Sequence, residues 1–247
     1  MKRNRLFWGI EACLYLLFCS GDGLGLPWKA YGNELKYGSL LLCFVYMVSI
    51  WWKGGKQERK AFLRDGCLVG IVGFSALADY FLLFTDWFVW GILLFAVVQG
   101  WYRVAMADQK HVQTLGAMYG ISLGITAMVA ESCTRLFHMQ WDGTLILILT
   151  AIFYGICLIQ NTGLGVWLWK KSMPYYKEET VFLYPAIVLL CLCDIHVGLY
   201  NLNELHLVTA ESGILAGWCQ AAGTLMWAFY LPSQLCVLGE LLYRKNQ

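Results

Sequence analysis

Long apolar stretches recur along almost the whole chain, separated only by short polar segments. A helix of about 20 apolar residues is long enough to cross a bilayer core of roughly 30 Å. Hydrophobic residues make up 59% and charged residues only 14% of the 247 residues, which is too little polar surface for a water-soluble domain. The apolar stretches cover about 6–20, 37–52, 66–84, 87–105, 114–132, 143–169, 181–200 and 210–243. The sequence therefore predicts an all-α integral membrane bundle of eight transmembrane helices.

The basic residues predict the orientation of this bundle. With eight spans both termini lie on one side, and of the 18 Lys and Arg residues all except Lys29, Lys36 and Arg135 fall on that side. Basic residues near span ends are retained in the cytoplasm. We therefore expect cytoplasmic termini and a single transmembrane domain over residues 1–247. Short loops and the absence of glycosylation sequons in the outer loops are compatible with a bacterial inner membrane.

The ten cysteines do not form a recognisable metal or disulfide pattern. They fall mostly within or at the edges of apolar stretches, with no CxxC pair and no Cys/His ligand spacing. We interpret them as small apolar packing residues and expect no metal site.

Two aspartates, Asp79 in GFSALADYFLLF and Asp194 in AIVLLCLCDIHVGL, lie inside predicted spans. An acid at the centre of a span costs about 2.5–3.5 kcal/mol on insertion scales and usually serves a function. Asp79 lies 14 residues beyond Asp65, and Asp194 lies 14 residues beyond Thr180. At the helical rise, each is therefore about 21 Å from the inner edge of its span. The two aspartates thus lie at the same predicted depth, in two helices that run in the same direction. We therefore expect the two carboxyls to converge on one cavity.

The alternative is that each aspartate only forms a hydrogen bond to a neighbouring helix, as polar residues in membrane helices often do. Other polar residues within the spans form a second group, and each by itself is more often a packing contact than a catalytic group. Tyr and Gln side chains can nevertheless orient a carboxyl or a substrate without adding charge. The group comprises Gln99, Tyr102, Tyr154, Gln160, Asn161, His196, Tyr230 and Gln234.

Four segments, GFSALADYFLL, FAVVQGWY, LCLCDIHVGL and WAFYLPSQL, together resemble the YhhN-type lysoplasmalogenase family. These are eight-span membrane hydrolases of alkenyl-ether lysophospholipids. The family pattern has a Gly-Asp pair, then a His-x-x-Tyr motif one span later, a Ser-Asp pair in the penultimate span and a Tyr-x-x-x-Gln motif in the last. In this sequence the matching residues are Asp79, Tyr102, Asp194, Tyr230 and Gln234.

The sequence also departs from the family pattern. Ala78 replaces the glycine before the first aspartate, Gln99 replaces the histidine, and Cys193 replaces the serine before the second aspartate. Lys36 matches a family Lys-Pro pair, in which Tyr37 has replaced the proline. The resemblance covers the whole chain in order and spacing, through short motifs, and it indicates a divergent member.

The resemblance implies hydrolysis of a vinyl ether to a fatty aldehyde and a glycerophospho-alcohol. One carboxyl would protonate the alkenyl carbon, and the other would stabilise the resulting cation and activate water. Two close carboxyls in a cavity of low dielectric tend to share one proton and to titrate as a unit. Which aspartate takes which role stays open. Lys36, Gln99, Tyr102, Asn161, His196, Tyr230 and Gln234 are the residues expected to bind or orient the substrate.

Two other functions remain open from the sequence. The third and fourth spans are weakly echoed by the seventh and eighth, as in transporters with internal repeats, so a proton- or cation-coupled transporter is one alternative. A catalytically inactive relative that binds lipid is the other. In each case the expected partners are a lysophospholipid or other small substrate and the membrane lipids. We expect no nucleic acid and no cofactor, and homo-oligomerisation stays open.

Overall fold

The computed structural model describes residues 2–53, 59–106, 113–136, 138–172, 181–204 and 214–246. In these ranges the chain forms eight α-helices and no β-strand. A short 3-10 helix, Pro27–Tyr31, precedes the second α-helix. The α-helices are α1 (Lys2–Leu24), α2 (Gly32–Lys53), α3 (Arg59–Phe84), α4 (Phe88–Met106), α5 (Gln113–Leu136), α6 (Gly143–Ser172), α7 (Leu183–Glu204) and α8 (Ile214–Asn246). The all-α fold class is therefore confirmed.

Seven helical segments in the described part of the chain are long and apolar enough to cross a membrane, which indicates an integral membrane protein. They are Pro27–Lys53, Phe62–Phe84, Phe88–Met106, Thr114–Leu136, Gly143–Lys170, Leu183–Asn201 and Ala221–Lys245. The first predicted span, 6–20, lies in α1, where Glu11 and Asp22 reduce the apolar character. An eighth crossing and cytoplasmic termini stay predictions. Residues 210–213 of the last predicted span lie outside the described residues.

The distribution of side chains is that of a protein surrounded by lipid. Large apolar residues are exposed on the outside of the bundle, for example Ile121, Leu123 and Met128 on α5. Polar residues, among them Asp79 and Gln99, are buried in its interior. Since lipid tails are as apolar as leucine, polar groups in such a fold are placed between helices rather than on the surface.

Helices adjacent in sequence make the most extensive contacts, namely α3 with α4 and α7 with α8. α6 packs against α4 and α7, and α2 packs against α3 and α8. This arrangement surrounds one continuous buried cluster that includes Leu68 on α3, Tyr102 on α4 and Leu238 on α8. α5 lies at the edge and shares a small separate cluster with α6. The polar site described below is therefore walled by α3, α4, α6, α7 and α8.

Gly91 on α4 allows the close approach of α3 beside Asp79. A Cβ atom at this position would lie 2.7 Å from Leu82 Cδ2 and 3.1 Å from the carbonyl oxygen of Ala78. The Ala78 carbonyl belongs to a helical backbone, so it cannot move aside as the end of a flexible side chain can. We therefore expect Gly91→Ala to lower the free energy of unfolding by about 1–3 kcal/mol, the usual cost of overpacking. Thermal unfolding of the purified protein in detergent measures this effect.

Gly120→Ala on α5 is the matched control. No atom outside its own local helix lies within 4 Å of the position that its Cβ would occupy. Because alanine favours a helix over glycine by up to about 1 kcal/mol, this change should be neutral or stabilising. Equal effects of the two substitutions would contradict the importance of the contact between α3 and α4.

Candidate functional site

Asp79 is buried in the centre of the bundle, with 5% of its surface exposed. It projects from α3 toward α8, where the hydroxyl group of Tyr230 faces its carboxyl group. The two groups interact without a hydrogen bond of ordinary geometry, since both the Tyr230 hydroxyl and Asp79 Oδ2 find no partner among the described residues. Asp79 therefore presents one carboxyl oxygen to the interior of the site.

Asp194 projects from α7 into the same region. The Tyr154 hydroxyl of α6 donates a hydrogen bond of 2.5 Å to Asp194 Oδ2. Asp194 and Asp79 are close enough to interact electrostatically, and Cys193 lies within the influence of both carboxyls. The structure thus brings together two aspartates that are separated by 115 positions in the sequence.

A layer of amide side chains lies behind Tyr154. Asn161 Nδ2 on α6 donates to Gln99 Oε1 at 3.0 Å and to the Gln99 carbonyl oxygen at 2.7 Å. The Gln99 amide faces the Tyr154 hydroxyl. Arg103, one turn beyond Gln99 on α4, donates from its guanidinium group to Asn161 Oδ1 at 3.5 Å. Gln99 and Asn161, both predicted site residues, therefore lie behind Tyr154, although Gln99 Nε2 makes no hydrogen bond of ordinary geometry to a described residue.

Tyr102 and Gln234 are also brought to this interior. Tyr102 is completely buried on α4, and its hydroxyl lies beside Ser233 of α8. Gln234 Nε2 donates to Ser233 Oγ at 3.4 Å, while Gln234 Oε1 is buried without a partner. Tyr102 also lies within the electrostatic influence of Asp194.

Several polar atoms around the two aspartates are buried and have no hydrogen-bond partner among the described residues. A buried polar group without a partner costs about 1–3 kcal/mol, so each of them calls for an explanation, such as a bound water or a polar ligand. They come from α3, α4 and α8. They are Ser75 Oγ, Asp79 Oδ2, Gln99 Nε2, Tyr102 OH, Tyr230 OH and Gln234 Oε1.

Lys36 takes part in an ion pair instead of joining the aspartates directly. Its Nζ lies 2.6 Å from Asp22 Oδ2 of α1 and 5.3 Å from the centre of the Trp227 ring. The Trp227 ring in turn packs edge-on against Tyr230, with ring centres 5.1 Å apart. Lys36 therefore reaches the site only through two aromatic side chains.

His196 is turned away from Asp194 although it is only two residues beyond it. Its Nδ1 lies 2.7 Å from the carbonyl oxygen of Leu192, and its ring stacks on Phe229 at 5.3 Å. Two residues correspond to about 200° around a helix, which explains the different direction. These contacts are those of a packing residue and do not support a role in orienting the substrate.

Tyr154 and Arg103 belong to the site but are absent from the set of expected site residues. Their helical spacing from other predicted site residues could have identified them in the sequence. Tyr154 and Asn161 are seven residues apart and share one face of α6, while Gln99 and Arg103 are four apart and share one face of α4. Gln160, by contrast, donates to Ser122 Oγ of α5 at 3.0 Å and faces away.

No group of three or more His, Cys, Asp or Glu residues suited to a metal ion occurs in the described ranges. Nine cysteines are described with their side chains, and all nine are free thiols. His111 and His206 lie outside the described residues.

The fold and the site define an all-α membrane protein whose bundle encloses a pair of aspartates among tyrosine and amide side chains. Comparisons with protein-family models, with curated proteins and with solved structures find no match to this chain. The resemblance to the YhhN-type lysoplasmalogenases therefore depends on the sequence motifs alone.

Proposed function

We propose that the protein is a membrane-embedded hydrolase that cleaves the vinyl-ether bond of alkenyl lysophospholipids. The observation that carries this proposal is the pair of carboxyls, Asp79 buried and Asp194 partly buried, surrounded by polar atoms that have no partner in the described structure. Such a site can hold a water molecule and a polar substrate group within a bundle that is otherwise apolar. The sequence resemblance supplies the class of substrate.

The proposed reaction begins with proton transfer from one carboxyl to the β-carbon of the alkenyl ether. The π electrons form the new C–H bond, and the α-carbon becomes an oxocarbenium ion. Water adds to that carbon and gives a proton to the second carboxylate. The resulting hemiacetal loses its hydroxyl proton while the ether oxygen gains one, and the C–O bond breaks to release a fatty aldehyde and an alcohol.

The surroundings of the pair suit the intermediate cation. A low-dielectric site strengthens the attraction between a carboxylate and a developing positive charge. The hydroxyls of Tyr102 and Tyr230 and the amide of Gln234 can contact a polar substrate without adding a charge. As part of the same proposal, the bundle has eight spans with both termini in the cytoplasm of a bacterium, and the lipid enters from the outer leaflet.

The direct test is release of aldehyde by the purified protein in detergent. We expect aldehyde from an alkenyl lysophospholipid, none from the saturated alkyl-ether analogue, and none from either lipid with Asp194→Asn. Asp86→Asn is the matched control, because Asp86 is exposed in the connection between α3 and α4. The absence of aldehyde from wild-type protein that elutes as a folded species would contradict the proposal.

A second candidate, a proton- or cation-coupled transporter, is favoured by one feature of the packing. α3 with α4 and α7 with α8 form two extensively packed helix pairs, and each carries an aspartate on its first helix. Transporters built from internal repeats place their binding site between corresponding helices. Uptake of protons or of a labelled cation into proteoliposomes, lost with Asp79→Asn, in the absence of aldehyde release would favour this function. Lipid binding without either activity would indicate an inactive relative.

A further inference from the structure

The hydrogen-bonding groups behind Asp194 are arranged in one direction. A guanidinium group can only donate hydrogen bonds, so the Asn161 oxygen faces Arg103 and the Asn161 nitrogen faces Gln99. Because the Gln99 oxygen accepts from Asn161, its nitrogen is directed away. That nitrogen faces the Tyr154 hydroxyl without a hydrogen bond of ordinary geometry. The Tyr154 proton is then directed to Asp194. This series of polar groups begins at the Arg103 guanidinium, which cannot accept a hydrogen bond, and ends at Asp194 Oδ2.

Asp79 has no comparable support. Tyr230 faces it from α8, and Tyr37 of α2 lies within its electrostatic influence. The Tyr230 hydroxyl and Asp79 Oδ2 have no hydrogen-bond partner among the described residues. The environments of the two carboxyls therefore differ in two respects. Asp194 receives a hydrogen bond from Tyr154, and it is partly exposed whereas Asp79 is buried.

No cationic side chain in the described ranges contributes to the environment of either carboxyl. The groups around them are hydroxyls, a thiol and each other, from α2, α3, α4, α6, α7 and α8. Two adjacent negative charges without a counter-charge are strongly unfavourable in a medium of low dielectric. At least one of the two carboxyls must therefore carry a proton.

We propose that Tyr154 is a positioning residue that holds Asp194 as the ionised member of the pair, so that Asp79 carries the proton. Gln99 and Asn161 keep the Tyr154 hydroxyl directed at Asp194. A hydrogen bond donated to an ionised carboxylate is about twice as strong as one between neutral groups, so a fixed donor favours the charge on the carboxyl that it reaches.

If the protein is the proposed hydrolase, this assignment gives each aspartate a definite role in the reaction, and these roles rest on the proposed function. Asp79 is the acid that protonates the alkenyl carbon, through the carboxyl group whose Oδ2 has no partner among the described residues. Asp194 then stabilises the oxocarbenium ion and accepts the proton from water. After both steps Asp79 has given its proton to the product carbon and Asp194 has gained one from water. Transfer of a proton from Asp194 to Asp79 then restores the resting state.

Infrared difference spectroscopy of the purified protein tests the assignment without any turnover. A protonated carboxyl has a C=O stretching band that a carboxylate lacks. We expect Asp79→Asn to remove one protonated-carboxyl band from the wild-type spectrum and Asp194→Asn to retain it. Loss of the band in Asp194→Asn, or the same result in both variants, would overturn the assignment.

Tyr154→Phe tests the positioning role. The variant keeps the ring and loses only the hydroxyl, and we expect it to shift the carboxyl bands and to lower kcat for aldehyde release by about 10- to 100-fold with KM retained. Tyr119→Phe is the matched control, because Tyr119 donates to the backbone carbonyl of Ala96 at 2.8 Å rather than to a carboxyl. Unchanged carboxyl bands in Tyr154→Phe, or equal changes in Tyr154→Phe and Tyr119→Phe, would show that Tyr154 does not position Asp194.

The infrared spectra test the protonation assignment, and aldehyde release tests the hydrolase function, so the two proposals can fail separately. If the bands behave as expected but no aldehyde is released, the protonation assignment holds and the hydrolase function is wrong. If aldehyde is released by the wild-type protein but the band is lost in Asp194→Asn, the hydrolase function holds and the roles of the two aspartates are reversed.

Discussion

Replacement of Asp79 by asparagine is expected to reduce aldehyde release by about 10²–10⁴-fold, the usual contribution of a general acid. Asparagine has nearly the same shape and can keep a contact with Tyr230, but it cannot supply a proton to an alkenyl carbon. The same variant should be as stable as the wild type or more stable. It removes a buried carboxyl that has no cation beside it among the described residues, and such groups are often retained at the expense of stability.

The measurement combines the rate of aldehyde release with thermal unfolding of the same detergent-solubilised sample. Asp86→Asn applies the same chemical change at an exposed position and should alter neither quantity. Activity within a few fold of the wild type in Asp79→Asn would show that Asp79 is not the acid. A large loss of stability would show that Asp79 serves chiefly to hold the bundle together.

Replacement of Lys36 by methionine is expected to destabilise the protein by about 3–5 kcal/mol. The Lys36 and Asp22 side chains are only 7% and 12% exposed and lie 2.6 Å apart. Removing one member of a buried pair leaves the other as an uncompensated charge, whereas removing both is often nearly neutral. We therefore expect the double variant Lys36→Met with Asp22→Asn to recover most of the lost stability. Unfolding in mixtures of SDS and mild detergent provides the free energies.

Arg135→Met on α5 is the matched control for the ion pair. Arg135 is paired with Glu131 one turn earlier, but their side chains are 78% and 57% exposed. Exposed pairs contribute at most about 1 kcal/mol, so this variant should differ little from the wild type. A loss as large as that of Lys36→Met, or no recovery in the double variant, would contradict a stabilising role of the buried pair.

The helices could be predicted well from the sequence because apolar length is a local property. The predicted spans 66–84, 114–132 and 143–169 each lie within one observed helix. The first span was harder to predict. α1 forms a helix from Lys2, but Glu11 is directed inward, where Ser39 of α2 donates a hydrogen bond to it. A polar residue in a span can face a neighbouring helix, and hydropathy alone does not distinguish this from a helix outside the membrane.

The candidate site was predictable in part. Asp79 and Asp194 stand out because acids are rare in apolar spans, and equal depth can be counted along a helix. His196 shows the limit of this reasoning, since proximity in sequence to Asp194 does not place it on the same helix face. The substrate contact expected of Lys36 stays a prediction, and the structure adds that Lys36 is paired with Asp22 of α1.

The sequence by itself determined that the chain forms apolar helices, that two acids lie within apolar segments and that its cysteines have no CxxC pair. Only the tertiary structure decided which helices touch, and therefore that Tyr154 donates to Asp194 while the Asp79 carboxyl keeps an oxygen without a partner. The physical reason is that depth and apolar length depend on one helix at a time. The direction of a hydrogen bond depends on the rotation of two helices about their axes, which is set by packing across the whole bundle.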